Sequence, residues 1–451
     1  MWLPALYSST DIVNIGSALH EMRAAIAGWY ATGTPHVPWP WVFTRLYVLL
    51  PGVLVVPATV MMGGSFPILQ KLAQTDLRFI GRRVGVLLAA NIVGSTLGAF
   101  VTGWILLDRL GTTGTLRLLV VVSGVFALIG VSWSSARRTV RLAGGALAVA
   151  LIAGTAWLVP GAQNLWAALH GSVPADVIMA EDGSGLALLR IEPAVQTEAG
   201  SFPRVVVFVN GLGQSWLPYG GIHTVLGALP AFIHPRPQAA ALIGLGSGDT
   251  LFAMAGRKEL ERLTSIEIIR PQLAALQELS RRNSYPGLLP VLDPSRVQHE
   301  FGDGRLYLSR SRRTFDIIEA DALYPTAAYA GNLYSDAYFE LLRDHLSPGG
   351  LAVSWSPTER VARTFVKVFP HAWRSGQVIM GSNEPILMDR DAIMRRLAEA
   401  ESYYRWAGVD VVRLLRPYIF GPWRRYGPDH DRAALIDINT DLHPKDEFGL
   451  E

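Results

Sequence analysis

The side chains of this chain best placed to do chemistry sit where apolar runs give way to glycine or acid. The stretch Ala239–Thr250 contains AALIGLGSGDT: a short strand-like run, a glycine-rich turn and the start of a helical pattern. Glu267 follows in SIEII, at the end of the next apolar run. Glycines let a backbone approach a ligand closely, and a carboxylate about 20 residues further on can accept both hydroxyls of a ribose. That spacing suits an adenosine-type ligand. A glycine turn in some other α/β fold is the plainer explanation of the same letters.

More acids fall at strand ends. In FDIIEADALYP, Asp321 lies just past an apolar strand, where side chains face the ligand crevice of an open α/β sheet. A carboxylate there can take a proton from an attacking amine or hold a cationic substrate. It can also cap the following turn. Glu319 shares its strand face and reads more simply as the partner of a nearby arginine. In GDGR, Asp303 could accept from an adenine amino group while Gly304 keeps the backbone near the ring; turn chemistry accounts for these letters equally well. VNGLGQ leaves a β unit and carries Gln214 toward the crevice, although a lone glutamine is ordinarily a surface residue. His223, in GGIHTVLGALPAF, is a structural histidine more readily than a catalytic one. The sequence has no HExxH, no metal-ligand cluster, no Gly-Lys-Ser/Thr phosphate loop and no GxSxG elbow, so no metal is expected.

The elements that must position these groups alternate. Gly185–Ile191 and Arg204–Val209 read as strands of a small β unit. Strand Ala239–Gly244 precedes a helix to about Arg262, and strand Thr264–Ile269 precedes a helix from Pro271 to about Arg282. Strands follow at Arg296–Phe301 and Thr314–Ala320, then a helix over Ser335–Leu346. The PGG at 348–350 turns into a strand, Leu351–Trp355. Such alternation predicts a parallel, doubly wound sheet with ligands at the carboxyl ends of its strands.

The first third of the chain is different. Half of the 451 residues are hydrophobic, which is unusual for a wholly soluble protein. Four apolar segments, Leu46–Leu69, Val84–Leu107, Leu118–Trp133 and Leu142–Pro160, predict membrane helices. Gly94, Gly98, Ala99 and Gly103 form a small-residue stripe suited to close helix packing in lipid. Basic loops, with Lys71, Arg78, Arg82 and Arg83 in one and three arginines over Ser134–Arg141 in the other, point to the cytoplasm. That orientation sends everything after Pro160 outside, whereas a domain using an adenosine cofactor belongs in the cytoplasm. The two signals disagree.

Net charge is only +3, with arginines scattered or beside apolar spans, so no nucleic-acid partner is expected. The absence of cysteine excludes disulfides, thiolate catalysis and zinc–thiolate sites. The expected organisation is an amphipathic or linker region over 1–45, transmembrane helices over 46–160, a small β domain over 175–235, a Rossmann-like nucleoside-binding domain over 236–400 and a C-terminal extension over 401–451. Within that extension, 401–430 is rich in tyrosine, tryptophan and arginine and reads as an interfacial helix.

Together these motifs resemble the spermidine synthase (polyamine aminopropyltransferase) family, and in particular its membrane-fused bacterial branch. The resemblance covers about 175–360, the membrane part from MMGGSFPIL to GTTGTLR, and the ending INTDLHPKDEF. It implies an α-helical transmembrane segment, a small β domain and a Rossmann-like, methyltransferase-type sheet. It also implies transfer of an aminopropyl group from decarboxylated S-adenosylmethionine to a diamine such as putrescine. Localisation would be a bacterial cell membrane, and a homodimer is expected because soluble relatives commonly pair.

Carried over by position, the resemblance implies that Gln214 contacts the nucleoside and that Gly244, Gly246, Ser247 and Gly248 form the glycine loop. Glu267 would be the ribose-binding acid, Asp303 and Gly304 would contact adenine, and Asp321 would be the base. His223 and Tyr324 would fall on the amine side. The departures lie on that side too. Ser247 stands where the loop carries an aspartate, with Asp249 two places later, and Tyr324 replaces the second aspartate of DxxDP. Ile222 and Thr224 replace the tyrosine and glutamate beside the histidine. A dication with fewer carboxylates around it loses charge-assisted bonds worth roughly 1.5–3 kcal/mol each. Two alternatives follow: a methyltransferase using intact S-adenosylmethionine, or a non-enzymatic membrane protein that binds a polyamine or nucleoside.

Overall fold

The computed structural model describes residues 44–73, 79–320, 324–327 and 329–448. The chain divides into two compact units, Met1–Gly183 and Ser184–Glu451.

The first unit is built on apolar helices: α1 (Leu50–Ala73), α2 (Ile80–Val101), α3 (Leu107–Trp133) and α4 (Arg138–Leu158). A π-helical turn, Thr102–Leu106, joins α2 to α3 without a loop. Among the described residues, three helical stretches are long and apolar enough to cross a membrane: Pro51–Lys71, Ile80–Trp133 and Arg138–Leu158. The middle one has 54 residues. At 1.5 Å per residue it would be about 80 Å long if straight, far more than the roughly 30 Å of a bilayer core. It breaks at Gly111, which has φ 64° and ψ −173°. The second and third expected segments thus lie in one element with a glycine break between them.

Among the described residues, nothing lies within 4 Å of a Cβ built on Gly94, Gly98 or Gly103. The close approach falls instead at Gly124, where a Cβ would lie 2.1 Å from the Ile152 side chain, so α3 packs on α4 there. Beyond α5 (Ala162–Leu169), strand β1 (Val177–Asp182) brings Glu181 to the break. Its carboxylate accepts from the Thr112 N–H at 3.1 Å, the Thr112 hydroxyl at 2.8 Å and the Trp166 indole at 3.2 Å. A helix that restarts after a break exposes N–H groups, and this carboxylate satisfies one of them.

The second unit opens with an antiparallel meander of β2 (Gly185–Thr197), β3 (Gly200–Val209) and β4 (Leu212–Leu217). Asn210 and Gly211, both at positive φ, make the two-residue turn between β3 and β4. Opposite Val207 and Phe208 of β3, β4 contributes Ser215 and Gly213, leaving Gln214 as an extra residue in a β-bulge. Helix α6 (Ile222–Ile233) then leads into the large sheet.

That sheet is assembled from β5 (Ala239–Ile243), α7 (Asp249–Ala255), β6 (Arg262–Glu267), α8 (Pro271–Arg282), α9 (Leu288–Val291) and β7 (Val297–Phe301). It continues through α10 (Gly304–Arg310), β8 (Phe315–Ala320), α11 (Asp336–Asp344), β9 (Leu346–Trp355) and α12 (Glu359–Val368). Strands β10 (His371–Ser375) and β11 (Val378–Ser382), helices α13 (Arg390–Trp406) and α14 (Val411–Phe420), and β12 (Arg424–Tyr426) complete it. The order across the sheet is β12-β10-β11-β9-β8-β5-β6-β7. Strands β5 to β9 pair in parallel, as expected, while β11, β10 and β12 add an antiparallel edge. The chain reverses direction across the sheet between β5 and β8, the switch point at which such folds form a crevice.

This is the Rossmann-like, methyltransferase-type arrangement, preceded by a small antiparallel sheet and long apolar helices. One face of the sheet is sealed by Tyr334, Tyr338 and Phe339 around α11 and by Phe365 and Phe369 around α12. On the other face α6 crosses α7 so closely that a Cβ on Gly227 would lie 2.2 Å from the Thr250 carbonyl oxygen.

Two element boundaries differ from expectation. Helix α7 stops at Ala255 rather than near Arg262, because Gly256 lies beneath the Tyr404 ring and the chain turns to bury Leu260. Strand β9 begins at Leu346, so the PGG lies within the strand element rather than before it. The 401–430 region is also more than an interfacial helix. Tyr404 of α13 is fully buried, packs on Phe232 and Phe252, and donates its hydroxyl to the Ala253 carbonyl.

Gly227→Ala is expected to destabilise the protein by about 1–3 kcal/mol, since the methyl meets backbone rather than a movable side chain. Thermal melting of the detergent-solubilised chain measures this; an unchanged midpoint contradicts the packing.

Candidate active site

The glycine loop is held from three sides. Gly244, Gly246 and Gly248 have φ of 100°, 52° and 85°, values that disfavour any residue with a Cβ. From β4, the Ser215 hydroxyl accepts the Ser247 N–H at 3.0 Å. From the segment after β4, the Tyr219 hydroxyl donates to the Ser247 carbonyl at 2.7 Å. From α8, the Gln272 amide donates to the Gly246 carbonyl at 2.6 Å. Tyr219 is itself fixed: its N–H donates to the Tyr285 hydroxyl at 2.9 Å, which donates to the Ala407 carbonyl at 3.0 Å. Burial pushes the Tyr219 phenol well above its ordinary range, so it stays a donor.

Glu267 ends β6 and is buried. One carboxylate oxygen accepts from the Leu245 N–H at 2.7 Å and the other from the Ile269 N–H at 2.8 Å. Burial raises its pKa above the usual glutamate value, although the surrounding backbone N–H groups oppose that shift. The Gly246 and Ile268 N–H groups also face this carboxylate, which lines the crevice where ligand hydroxyls would approach.

A cavity of about 240 Å³ opens at the carboxyl ends of β5, β6 and β7. It brings together Gln214, His223, Gly244, Gly246, Glu267, Asp303 and Gly304. The bulge in β4 explains Gln214, because an inserted residue re-aims its side chain out of the strand alternation. Gly304 is required by contact: a Cβ would lie 2.5 Å from the Ile243 side chain. Asp303 satisfies both explanations of its motif. It is the N-cap of α10, accepting from the Leu306 N–H at 3.0 Å, and it also lines the cavity.

Other expected residues fall elsewhere. Ser247 and Gly248 belong to the scaffold of the loop and do not line the cavity. Asp249 begins α7, buried, and accepts the Thr224 hydroxyl at 2.5 Å. Tyr324 is exposed and sets its ring edge-on to Trp355, 5.0 Å between centroids, outside the cavity lining. Asp321 lies outside the described residues. Glu319 is fully buried on β8.

Polar cavity residues that sequence reasoning missed include Ser215, Asn210, Arg305, Tyr329 and Asn332. Asn210, whose side chain accepts the Leu186 N–H at 2.9 Å, was signalled by the NG hairpin pair. Arg305 stood in the quoted GDGR, and Tyr329 and Asn332 lie in a loop with no motif of its own. Arg305 forms a bidentate pair with Asp441 that holds the aspartate below its usual range.

Residues 221–364 match the family model for the spermine/spermidine synthase domain. Over 178 residues the chain is 27% identical to the polyamine aminopropyltransferase of Caldicellulosiruptor bescii, covering 40% of this chain and 62% of that protein. Over 126 residues it is 31% identical to the spermidine synthase of Dictyostelium discoideum, covering 28% and 42% respectively. The solved spermidine synthase from Thermotoga maritima aligns at 17% identity with a TM-score of 0.35, over 59% of this chain and 90% of that one. The chain thus carries a domain of the polyamine aminopropyltransferase family with distant homologues, and matches 62% and 42% of the length of these two curated relatives.

Tyr219→Phe removes the hydroxyl that fixes the buried Ser247 carbonyl and is expected to cost about 1–2 kcal/mol. Thermal melting checks this; a variant as stable as the parent would show that Tyr219 does not anchor the loop.

Proposed function

We propose that this chain is a membrane-anchored aminopropyltransferase that moves an aminopropyl group from decarboxylated S-adenosylmethionine to a diamine such as putrescine. One observation carries the proposal. A single cavity, in a domain matching the spermine/spermidine synthase model, gathers the glycine loop, Glu267, Asp303 and Gln214. Glu267 would accept the ribose hydroxyls, Asp303 the adenine amino group, and Gln214 would contact the nucleoside. His223 lies at the same cavity, where an amine could approach.

Asp321, the next residue in sequence after β8, is the one we assign as base. The amine nitrogen attacks the propyl carbon bonded to sulfur, and a C–N bond forms as the C–S bond breaks. The bonding pair leaves with sulfur, which becomes the neutral thioether of 5′-methylthioadenosine. Asp321 accepts the proton shed by nitrogen. Proximity and amine deprotonation supply the catalysis, since the sulfonium is already a good leaving group.

The exposed apolar helices support the anchoring. Met61, Phe126 and Trp157 are 77%, 70% and 84% exposed, faces that lipid would cover.

A second reading, methyl transfer from intact S-adenosylmethionine, is favoured by one feature. Asp249 is buried against Thr224 instead of facing the cavity, and Ser247 replaces the loop aspartate. No loop carboxylate then selects against the carboxylate of the intact cofactor.

Mass spectrometry of products, with both cofactors and a panel of amines, distinguishes these readings. Aminopropylated amine and methylthioadenosine are expected, with Asp321→Asn abolishing turnover while preserving nucleoside binding. Methylated product, or full turnover by that variant, contradicts the assignment. Affinity for 5′-methylthioadenosine should also depend on pH. The ionised Glu267 carboxylate is the better acceptor and burial raises its pKa, so binding weakens as pH falls through that raised value. Glu267→Gln should flatten the profile and weaken binding about tenfold or more. Calorimetry across pH checks this; a flat wild-type profile opposes the role.

A further inference from the structure

The terminal run INTDLHPKDEF is ordered, acidic and unused by the function proposed above. It holds one wall of the cavity. Arg305 of α10 lines the cavity and meets Asp441 through paired bonds of 2.7 and 2.5 Å, while also donating to the Asn332 carbonyl at 3.1 Å. Glu447 accepts the Tyr329 N–H at 2.8 Å with one oxygen and the Gly331 N–H at 3.0 Å with the other. Tyr329 and Asn332 both line the cavity. Tyr329 has φ 66°, a left-handed conformation that a tyrosine keeps only where its surroundings dictate it. Gly331 is pressed against the run as well: a Cβ there would lie 2.3 Å from the Pro444 Cβ.

The run is itself anchored. Arg360 of α12 reaches Asp437 at 2.9 Å and Asp446 at 2.7 Å, and Arg363 reaches Asp437 at 2.6 Å. Asn439 and Asp446 close it on itself by reciprocal bonds of 2.8 and 3.1 Å. The Asn439 carbonyl accepts from the Asp336 N–H at the start of α11, 3.0 Å away. The wall loop, 329–333, leads into α11, and the run 437–447 grips it through Glu447, Pro444 and the Arg305–Asp441 pair.

We propose that residues 437–447 form a positioning clamp, in which Asp441 and Glu447 set the backbone of the 329–333 loop and thereby the ligand-binding shape of the cavity. Neither carboxylate lines the cavity; they act through Arg305 and the loop N–H groups. A ligand that packs on this wall is energetically coupled to the clamp. The coupling to ligand rests on the nucleoside site proposed above, whereas the ordering of the loop does not.

The test uses the full chain in detergent, with Glu447→Gln and Asp441→Asn as separate variants. Amide hydrogen exchange over 324–333, affinity for 5′-methylthioadenosine and the thermal midpoint are measured together. Exchange at 329–333 is expected to rise at least about tenfold with the rest of the domain unchanged. Nucleoside affinity should fall about tenfold, the order of a lost charge-assisted bond. The midpoint should move by no more than about 4 °C. Unchanged exchange at 329–333 in both variants overturns the clamp. So does a uniform rise across the domain with a collapsed midpoint, which would make the run a general support of the fold. Should the wild-type chain bind no nucleoside, the proposed function fails, and local exchange alone decides the clamp.

Discussion

A buried carboxylate at the end of β6 joins two loops that the sheet would otherwise leave independent. Glu267 takes the Leu245 N–H from the glycine loop with one oxygen and the Ile269 N–H beyond its own strand with the other. The Gly244 N–H still donates to the Ile266 carbonyl of β6 at 2.8 Å, and beyond it the glycines at positive φ turn the chain away from the β5 ladder. Burying an ionisable group costs free energy unless hydrogen bonds compensate; burial raises the Glu267 pKa and the backbone N–H groups around it oppose that rise. A stronger acceptor position is thus held ready at the mouth of the crevice. The surrounding contacts from Ser215, Tyr219 and Gln272 all serve to keep that loop in one shape.

Two parts of the second unit converge on this loop from opposite directions. The small meander contributes Ser215 to hold it and Gln214 to line the cavity, through the bulge that separates the register of the two residues. The C-terminal helices contribute the Ala407 carbonyl and the buried Tyr404, which limit how α7 and Tyr219 can sit. Thr224 and Asp249 form a buried pair across α6 and α7. Thr224 stands where the resemblance implies a glutamate and Asp249 two places past the implied loop aspartate, and here the two serve the packing of two helices. Under the proposed function, that exchange leaves the amine side of the cavity poorer in carboxylates than the nucleoside side.

The central sheet was legible because its strands are short apolar runs, each ending in glycine or acid, and helical patterns intervene. Glu267, Asp303 and the glycines could be placed from those endings alone. Other features depend on contacts distant in sequence. Nothing in VNGLGQ marks Gln214 as a bulge residue, since the register shift is fixed by β3 across the hairpin. The early end of α7 depends on Tyr404, almost 150 residues further on by chain position. Asp249 lies two places past the loop aspartate that the resemblance implies, and only its burial beside Thr224 reveals a structural role. The long helices of the first unit were legible in their apolar length, but the path through Thr102–Leu106 and the break at Gly111 follow from backbone geometry.

The account stands on one occupied geometry: a nucleoside whose ribose meets Glu267 and whose base meets Asp303. A structure of the full chain determined with 5′-methylthioadenosine tests it most directly. The prediction is density in the cavity between β5, β6 and β7, with both ribose hydroxyls within hydrogen-bond distance of the Glu267 carboxylate. Density bound elsewhere, or a ribose turned away from Glu267 in this cavity, would contradict it.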